Sequence, residues 1–361
     1  MPARSAAAPV EWLFRGDAAR TGRSPHQGPA APRRAWSFPT GAPIFASPAI
    51  AADGTVVVGS LDGVVYAVTP EGVERWRYAT GDAVWSSAAI AGGVVYVGSS
   101  DDRLYALDAL SGRLRFAVRL GDCADPTGAG PEGARCDVDG SPAIGADGTI
   151  YATADALYAL TPTGRVVWRA ALGAHAFASP ALAADGTIVV GAQDDRLRAF
   201  APDGTPRWEL VGGDDFDATP AIAGDGTVYA GADDDQLWAV AKDGALRFTL
   251  RTRGDLRASP AIAADGTVYA ASFDGALYAV RPDGTVAWAF RAGGRIHASP
   301  VVDAAGVIWF GAQDDRLYAV SPDGQARAAV PMPGDIDSSP AIARDGTLYL
   351  GCDDGSLHAL R

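Results

Sequence analysis

No apolar run in this sequence approaches the roughly 20 residues that a bilayer-spanning helix needs, which excludes a helical membrane span. The start, MPARSAAAPVEWLF, holds one early Arg and no sustained apolar stretch, so it does not read as a signal peptide. Apolar residues never keep a 3.6-residue period over a helical length, and without a helix there is no phosphate-cradling loop leading into one. Basic residues are outnumbered: 30 Lys plus Arg against 43 Asp plus Glu give a formal charge of -13. That balance disfavours nucleic acid and anionic lipid and favours cationic ligands or basic partner surfaces. Histidine occurs four times and cysteine three times, and no Cys or His stands two to four residues from another, so zinc-ligand spacing is missing. Three cysteines cannot frame a disulfide scaffold. Cys123 and Cys136 nevertheless bracket the long insertion, and a bond closing that loop is expected, which implies an oxidising compartment; Cys352 is left as a free thiol at a strand end.

What is present is one phrase written eight times. Ser47-Pro48, Ser141-Pro142, Ser179-Pro180, Thr219-Pro220, Ser259-Pro260, Ser299-Pro300 and Ser339-Pro340 open it, and Ser87-Ala88 opens a degenerate copy. From Ser179 to Ser339 the step is 40 residues each time, a period that means a solenoid or a propeller. In the unit from Ala258 to Phe290 the apolar segments SPAIA, TVYAAS, ALYAV and TVAWAF are 5 or 6 residues long. Asp265-Gly266, Asp274-Gly275 and Asp283-Gly284 separate them, and Asp-Gly between short β-prone runs signals a hairpin. The expected fold is all-β, an eight-bladed β-propeller of four-stranded antiparallel blades. Residues 1–33 read as an N-terminal extension and 34–361 as a single propeller, with an insertion at about 122–138 between blades 2 and 3. A Pro recurring in the first strand marks a free edge, and the small residues after it, such as Ala49 and Ala261, suit the crowded centre, so strand one is placed innermost. The acid pairs Asp101-Asp102, Asp194-Asp195, Asp314-Asp315 and Asp353-Asp354, with Asp233 to Asp235, fall between strands two and three, where turn chemistry explains them.

The fourth strand carries an aromatic eleven residues before the next anchor: Trp36, Trp76, Trp168, Trp208, Phe248 and Trp288, with Phe116 in the same place before the insertion and Ala328 as the exception. Nine residues upstream of most of them stands an Ala, and a ring on one blade is expected to interlock with an Ala-lined gap on its neighbour, burying about 150 to 250 Å². The eighth unit ends after its third strand, so Arg34 to Phe38, with Trp36 in register, is expected to pair in the last blade.

The phrase GTVYAGADDDQLWAV and the Ala-to-Trp spacing resemble the pyrroloquinoline quinone (PQQ) type propeller repeat and its tryptophan-docking motif, over residues 34 to 361. The segment from Trp12 to Pro25 is similar to one that precedes the first blade in bacterial exported or cell-surface proteins with this repeat. The resemblance implies an eight-bladed, extracytoplasmic disc. It divides between quinoprotein dehydrogenases, which bind PQQ and calcium, and non-enzymatic propellers. Alcohol-oxidising dehydrogenases carry a vicinal Cys-Cys pair, which this sequence lacks, and no Cys that could carry a lipid anchor precedes Cys123. No cofactor is therefore expected, with PQQ plus calcium as the alternative.

Where eight copies agree, architecture dictates the residue; where they disagree, the position is free for function. Two places before each anchor stand Phe45, Trp85, Asp139, Phe177, Asp217, Arg257, His297 and Asp337. Four places before stand Pro43, Ala83, Asp137, His175, Asp215, Asp255, Arg295 and Asp335, while the intervening residue is apolar throughout. Both rows are expected to ring one mouth of the channel, with Phe45, Trp85 and Phe177 as an aromatic sector, carboxylates elsewhere, and Arg257, Arg295, His175 and His297 among them. Asp214, Asp215 and Asp217 form the best short acidic cluster but lack the calcium-loop pattern. His175 and His297 belong to blades three apart, and the recurring serines are structural, so no nucleophile–base pair is expected. The sequence reads as a non-catalytic, monomeric scaffold that binds a protein or small ligand. The alternatives are a PQQ-binding or reduced quinoprotein and a structural module of a cell-surface or outer-membrane assembly.

Overall fold

Every repeat is bent by the same backbone device, a tight Gly or Asp turn with positive φ between short β-prone runs, and folds as an antiparallel meander. The computed structural model describes residues 10–121 and 136–361. Eight sheets follow one another round a ring, an eight-bladed β-propeller. Blade 6 is representative: Ala261–Ile262, Val268–Ala271, Ala276–Val280 and Val286–Arg291 pair in that order. The first three strands are mostly buried, and the fourth alternates exposed and half-buried residues at the rim. In blade 8 the fourth strand is Arg34–Pro39, which pairs with Ser356–Leu360 and sets Trp36 opposite Ala359. Blade 2 gains a fifth strand, because Val10–Trp12 of the N-terminal extension pairs with Ala89–Ala91.

Strand one is shorter than its sequence suggests, with only two residues in the ladder in seven blades. The Ser-Pro part lies outside because its polar groups serve the ring. At seven anchors the backbone N–H donates to the hydroxyl of the next blade's anchor at 2.8 to 3.1 Å, from Ser47 to Ser87 round to Ser339 and back to Ser47. A belt of hydroxyls therefore encircles the channel.

Two further contacts lock neighbouring blades. The indole Nε1 groups of Trp36, Trp76, Trp168, Trp208 and Trp288 donate to Pro70, Ala109, Pro202, Lys242 and Pro322 carbonyls of the next blade at 2.8 to 3.0 Å. The Ala expected to receive each ring is instead its cross-strand partner within the same blade, as Ala67 is to Trp76. What receives the ring on the next blade is a glycine turn: a Cβ on Gly112 would lie 2.7 Å from Trp76, and Gly164 and Gly284 meet Phe116 and Phe248 in the same way. The exception at Ala328 has a physical reason. The blade it faces has no turn between strands three and four, because those strands come from the two chain ends, where Arg33 and Arg361 exchange backbone hydrogen bonds.

The second contact uses the turn aspartates for more than the turn. Asp62 accepts the Tyr66 hydroxyl of its own blade at 2.7 Å and the Gly41 amide of the preceding blade at 2.6 Å. Asp101, Asp234 and Asp314 repeat this clasp with Tyr105, Trp238 and Tyr318 and with the amides of Gly81, Gly213 and Gly293. Cys136 is disulfide-bonded and Cys352 is free and buried; Cys123 lies outside the described residues.

Candidate functional site

The extension runs into the channel and divides it. Arg15 and Arg20 are buried and adopt positive φ, 67° and 59°. The Arg15 guanidinium donates to the carbonyls of Ser259, Pro260 and Pro300, and Arg20 donates to those of Ser141, Pro142, Pro180 and Phe14, at 2.7 to 3.2 Å. Burial lowers both guanidinium groups to about 9, which leaves them charged at neutral pH. The free edge inferred from the Ser-Pro phrase is thus occupied: the amides of Leu182, Ile222, Ile262 and Val302 donate to the carbonyls of Ala18, Ala19, Thr21 and Gly22. Phe14 ends this plug, beneath the Arg20 guanidinium at 5.6 Å.

Beyond Phe14 the channel opens as a cavity of about 600 Å³. All eight residues standing two places before an anchor line it, together with all eight anchors. The intervening residues, Ile44, Val84, Val138, Ala176, Phe216, Leu256, Ile296 and Ile336, are completely or almost completely buried. The strand alternation therefore aims one row at the cavity and the other into the core. Close packing enforces it, since a Cβ on Gly59 would come within 2.2 Å of Val84.

The second row behaves differently. Of it, only Ala83 and Asp137 line the cavity; His175, Asp215 and Arg295 do not. His175 is buried, with Nε2 against the Asp137 carbonyl at 2.9 Å and its ring edge-on to Phe177 at 4.5 Å. Arg295 lies over the Phe273 ring. Asp215 clusters with Asp195 and Asp214, and Asp217 acts on it as a neighbouring charge. Burial and the surrounding aspartates push its carboxyl up to about 6.

The cavity has two sectors. Phe45 and Trp85 pack ring to ring at 4.7 Å, with Trp85 40 % exposed, and Phe45 also meets His297. Round the rest of the ring, each charged residue is held by a turn residue of the preceding blade. Gln193 donates to Asp217 at 3.4 Å, Gln313 to Asp337 at 3.1 Å and Ser100 to Asp139 at 2.9 Å; Asp233 accepts both arms of Arg257. The His297 ring packs, tilted, against Phe273 at 5.7 Å in the equivalent place. In four of these pairs the partner stands 24 residues upstream, so comparison of the repeats along a diagonal would have exposed them. Burial raises the Asp217 carboxyl, and its Oδ1 is buried without a hydrogen-bond partner. Burial also lifts Asp233 to about 6, outweighing its Arg257 partner. Facing carboxylates therefore outnumber the one guanidinium, which is already neutralised. His175 and His297 have separate partners and no shared group, and seven of the eight anchor hydroxyls accept a backbone amide in the belt. In blade 8, Cys352, Asp354 and His358 also cluster, but His358 bonds Asp354 and Ser37, and burial pushes the thiol up to about 12.

Comparison with curated protein sequences finds no match. Among solved structures, the chain is similar to BamB from Moraxella catarrhalis, at 22% identity and a TM-score of 0.74, over 92% of this chain and 100% of that one. It is also similar to a europium-containing methanol dehydrogenase, at 15% identity, a TM-score of 0.77 and coverage of 95% and 89%. A third is the quinohemoprotein alcohol dehydrogenase from Comamonas testosteroni, at 17% identity, a TM-score of 0.79 and coverage of 99% and 81%. At such identities these likenesses speak for the fold. The family described as outer membrane protein assembly factor BamB matches the sequence itself over residues 28–130, 122–215 and 193–360. With the docking tryptophans and eight blades in place, the chain belongs to this family of PQQ-like repeat propellers.

Proposed function

We propose that the chain is a non-catalytic binding propeller whose mouth cavity takes a small ligand or a protruding peptide segment carrying positive charge beside an apolar group. One observation supports this above the others: the eight positions at which the repeats diverge meet in a single cavity, over a floor that the repeats hold constant. Rings of Phe45, Trp85 and Phe177 offer π faces, and Asp139, Asp217 and Asp337 offer carboxylates, a combination that suits an organic cation. The likeness to BamB agrees with a protein-binding role, and the bonded Cys136 agrees with an extracytoplasmic setting.

The likeness to two dehydrogenases favours a second reading, a PQQ-dependent oxidoreductase. The residues present fit that group poorly. PQQ is a polycarboxylate, and the cavity meets it with five aspartates, Asp82, Asp137, Asp139, Asp217 and Asp337, and an arginine already committed to Asp233. Calorimetric titration with trimethylphenylammonium, benzoate, and PQQ plus calcium separates the readings. Saturable cation binding, weakened about tenfold by Trp85→Ala or Asp217→Asn, is expected. PQQ binding with dye-linked alcohol oxidation would overturn the non-catalytic reading. If Phe45, Trp85 and Phe177 substitutions change neither ligand binding nor partner capture, the chain is a structural module instead.

A further inference from the structure

Behind Phe14, between the plug and the inner strands of blades 1 and 8, lies a second cavity of about 280 Å³, sharing Phe14, Ser47 and Ser339 with the first. Ile50 and Ile342 line it. The amides of Ala51 and Ala343 donate back to Thr55 and Thr347 at 2.8 Å. Successive amides of an antiparallel strand alternate in direction, so those of Ile50 and Ile342 point toward the channel. The structure shows what such amides take. In blades 4 to 7 the equivalent donors, at Leu182, Ile222, Ile262 and Val302, bond plug carbonyls. Moreover, neighbouring blades take consecutive carbonyls: Ala18 and Ala19 serve blades 4 and 5, and Thr21 and Gly22 serve blades 6 and 7. The spacing of two adjacent inner strands thus matches two successive residues of a turning chain, since Ala18 and Ala19 lie in a turn closed by the Arg20 amide on the Asp17 carbonyl and Gly22 has a φ of 70°. In blades 8 and 1 no such acceptor is present among the described residues. Ile144 in blade 3 has none either, but it does not line this cavity.

We propose that this cavity binds an acidic peptide in a turn conformation, two of whose consecutive carbonyls accept the Ile342 and Ile50 amides, continuing across blades 8 and 1 the pairing that the plug makes in blades 4 to 7. The charge at the rim selects its side chains. Arg23 and Arg344 are exposed there, and Arg344 has no ion-pair partner among the described residues. The cavity's one carboxylate, Glu11, is taken up by the amides of Gly93 and Ala52 at 2.9 and 3.3 Å. Basic groups therefore face the cavity in a protein whose overall charge is -13.

Residue-resolved amide exchange of the full chain tests the site, independently of the mouth. The probe is acetyl-Ala-Asp-Ala-Asp-amide, with acetyl-Ala-Lys-Ala-Lys-amide as its control. In the free protein the Ile50 and Ile342 amides should exchange about 100-fold faster than those of Leu182, Ile262 and Val302. Saturating acidic peptide should slow both about tenfold or more, and the lysine peptide should not. Arg344→Glu should abolish that slowing while exchange at Leu182 and Val302 stays unchanged, which shows that the ring is intact. Equal protection of all five amides without peptide, no response to the acidic peptide, or equal slowing by both peptides would each overturn the site.

Discussion

The backbone N–H of Ser339 donates to Oγ of Ser47 at 3.1 Å across 292 residues of sequence, joining the last anchor to the first. Both residues are buried, so removing the hydroxyl leaves the Ser339 amide without its acceptor. Ser47→Ala should destabilise the fold by about 1 to 3 kcal/mol. Ser47→Thr should cost far less, because Thr219 fills the same role for Ser179 at 2.9 Å. Chemical denaturation of the two variants beside wild type measures the difference.

Glycines in this chain divide by what surrounds them. A Cβ on Gly59 would meet Val84 at 2.2 Å, in the packing that keeps the row before the anchors buried, whereas one on Gly224 would meet nothing within 4 Å. Overpacking makes Gly59→Ala cost about 1 to 3 kcal/mol. Gly224→Ala, without positive φ to defend, should be neutral or stabilising by up to about 1 kcal/mol through the unfolded chain's entropy. Thermal midpoints of the pair should move in opposite directions or leave Gly224→Ala unmoved.

The disc was legible because it is written eight times: Asp-Gly turns, Ser-Pro anchors and docking aromatics each recur at one spacing. The mouth row was legible for the same reason, since Phe45, Trp85, Asp217 and Arg257 vary where Ile44, Val84, Phe216 and Leu256 do not. In the next row, His175, Asp215 and Arg295 stand away from the cavity. Strand alternation gives the side of a strand but not how far a residue stands from the channel axis. Ala328 breaks the motif because the blade it faces, built from both chain ends, has no docking turn. Arg15 and Arg20 could not be read at all: the plug occurs once, so no second copy shows which of its residues are fixed.

The plug makes a prediction of its own. Arg20 is completely buried and serves four carbonyls, from Phe14 in the extension to Ser141, Pro142 and Pro180 on two blades. Arg20→Met keeps much of the volume but leaves those acceptors without a donor, and should cost about 3 kcal/mol or more. Arg20→Lys should rescue little, because a point charge cannot span a fork of carbonyls. Limited proteolysis should cleave within residues 10–28 faster in both variants than in wild type, with the blades cut no faster.

The acid response follows from carboxyls that the ring forces together. Burial, then Asp337 and Asp335, push the Asp353 carboxyl up to about 6, well above the ordinary value of about 3.9 for an unfolded chain. Between those values the folded chain holds the proton more tightly, so this contribution to stability is complete below about pH 4 and is lost as pH rises through about 6. At pH 7 the ionised side chain works against the fold, with one oxygen buried and unpartnered. Asp353→Asn should therefore melt higher than wild type at pH 7, with the gap shrinking steadily towards pH 4.5. His358, which burial holds below its ordinary value, opposes the trend near pH 6 but is common to both proteins and drops out of the difference. A gap that is constant with pH, or that widens in acid, would show that Asp353 ionises as an ordinary surface carboxyl.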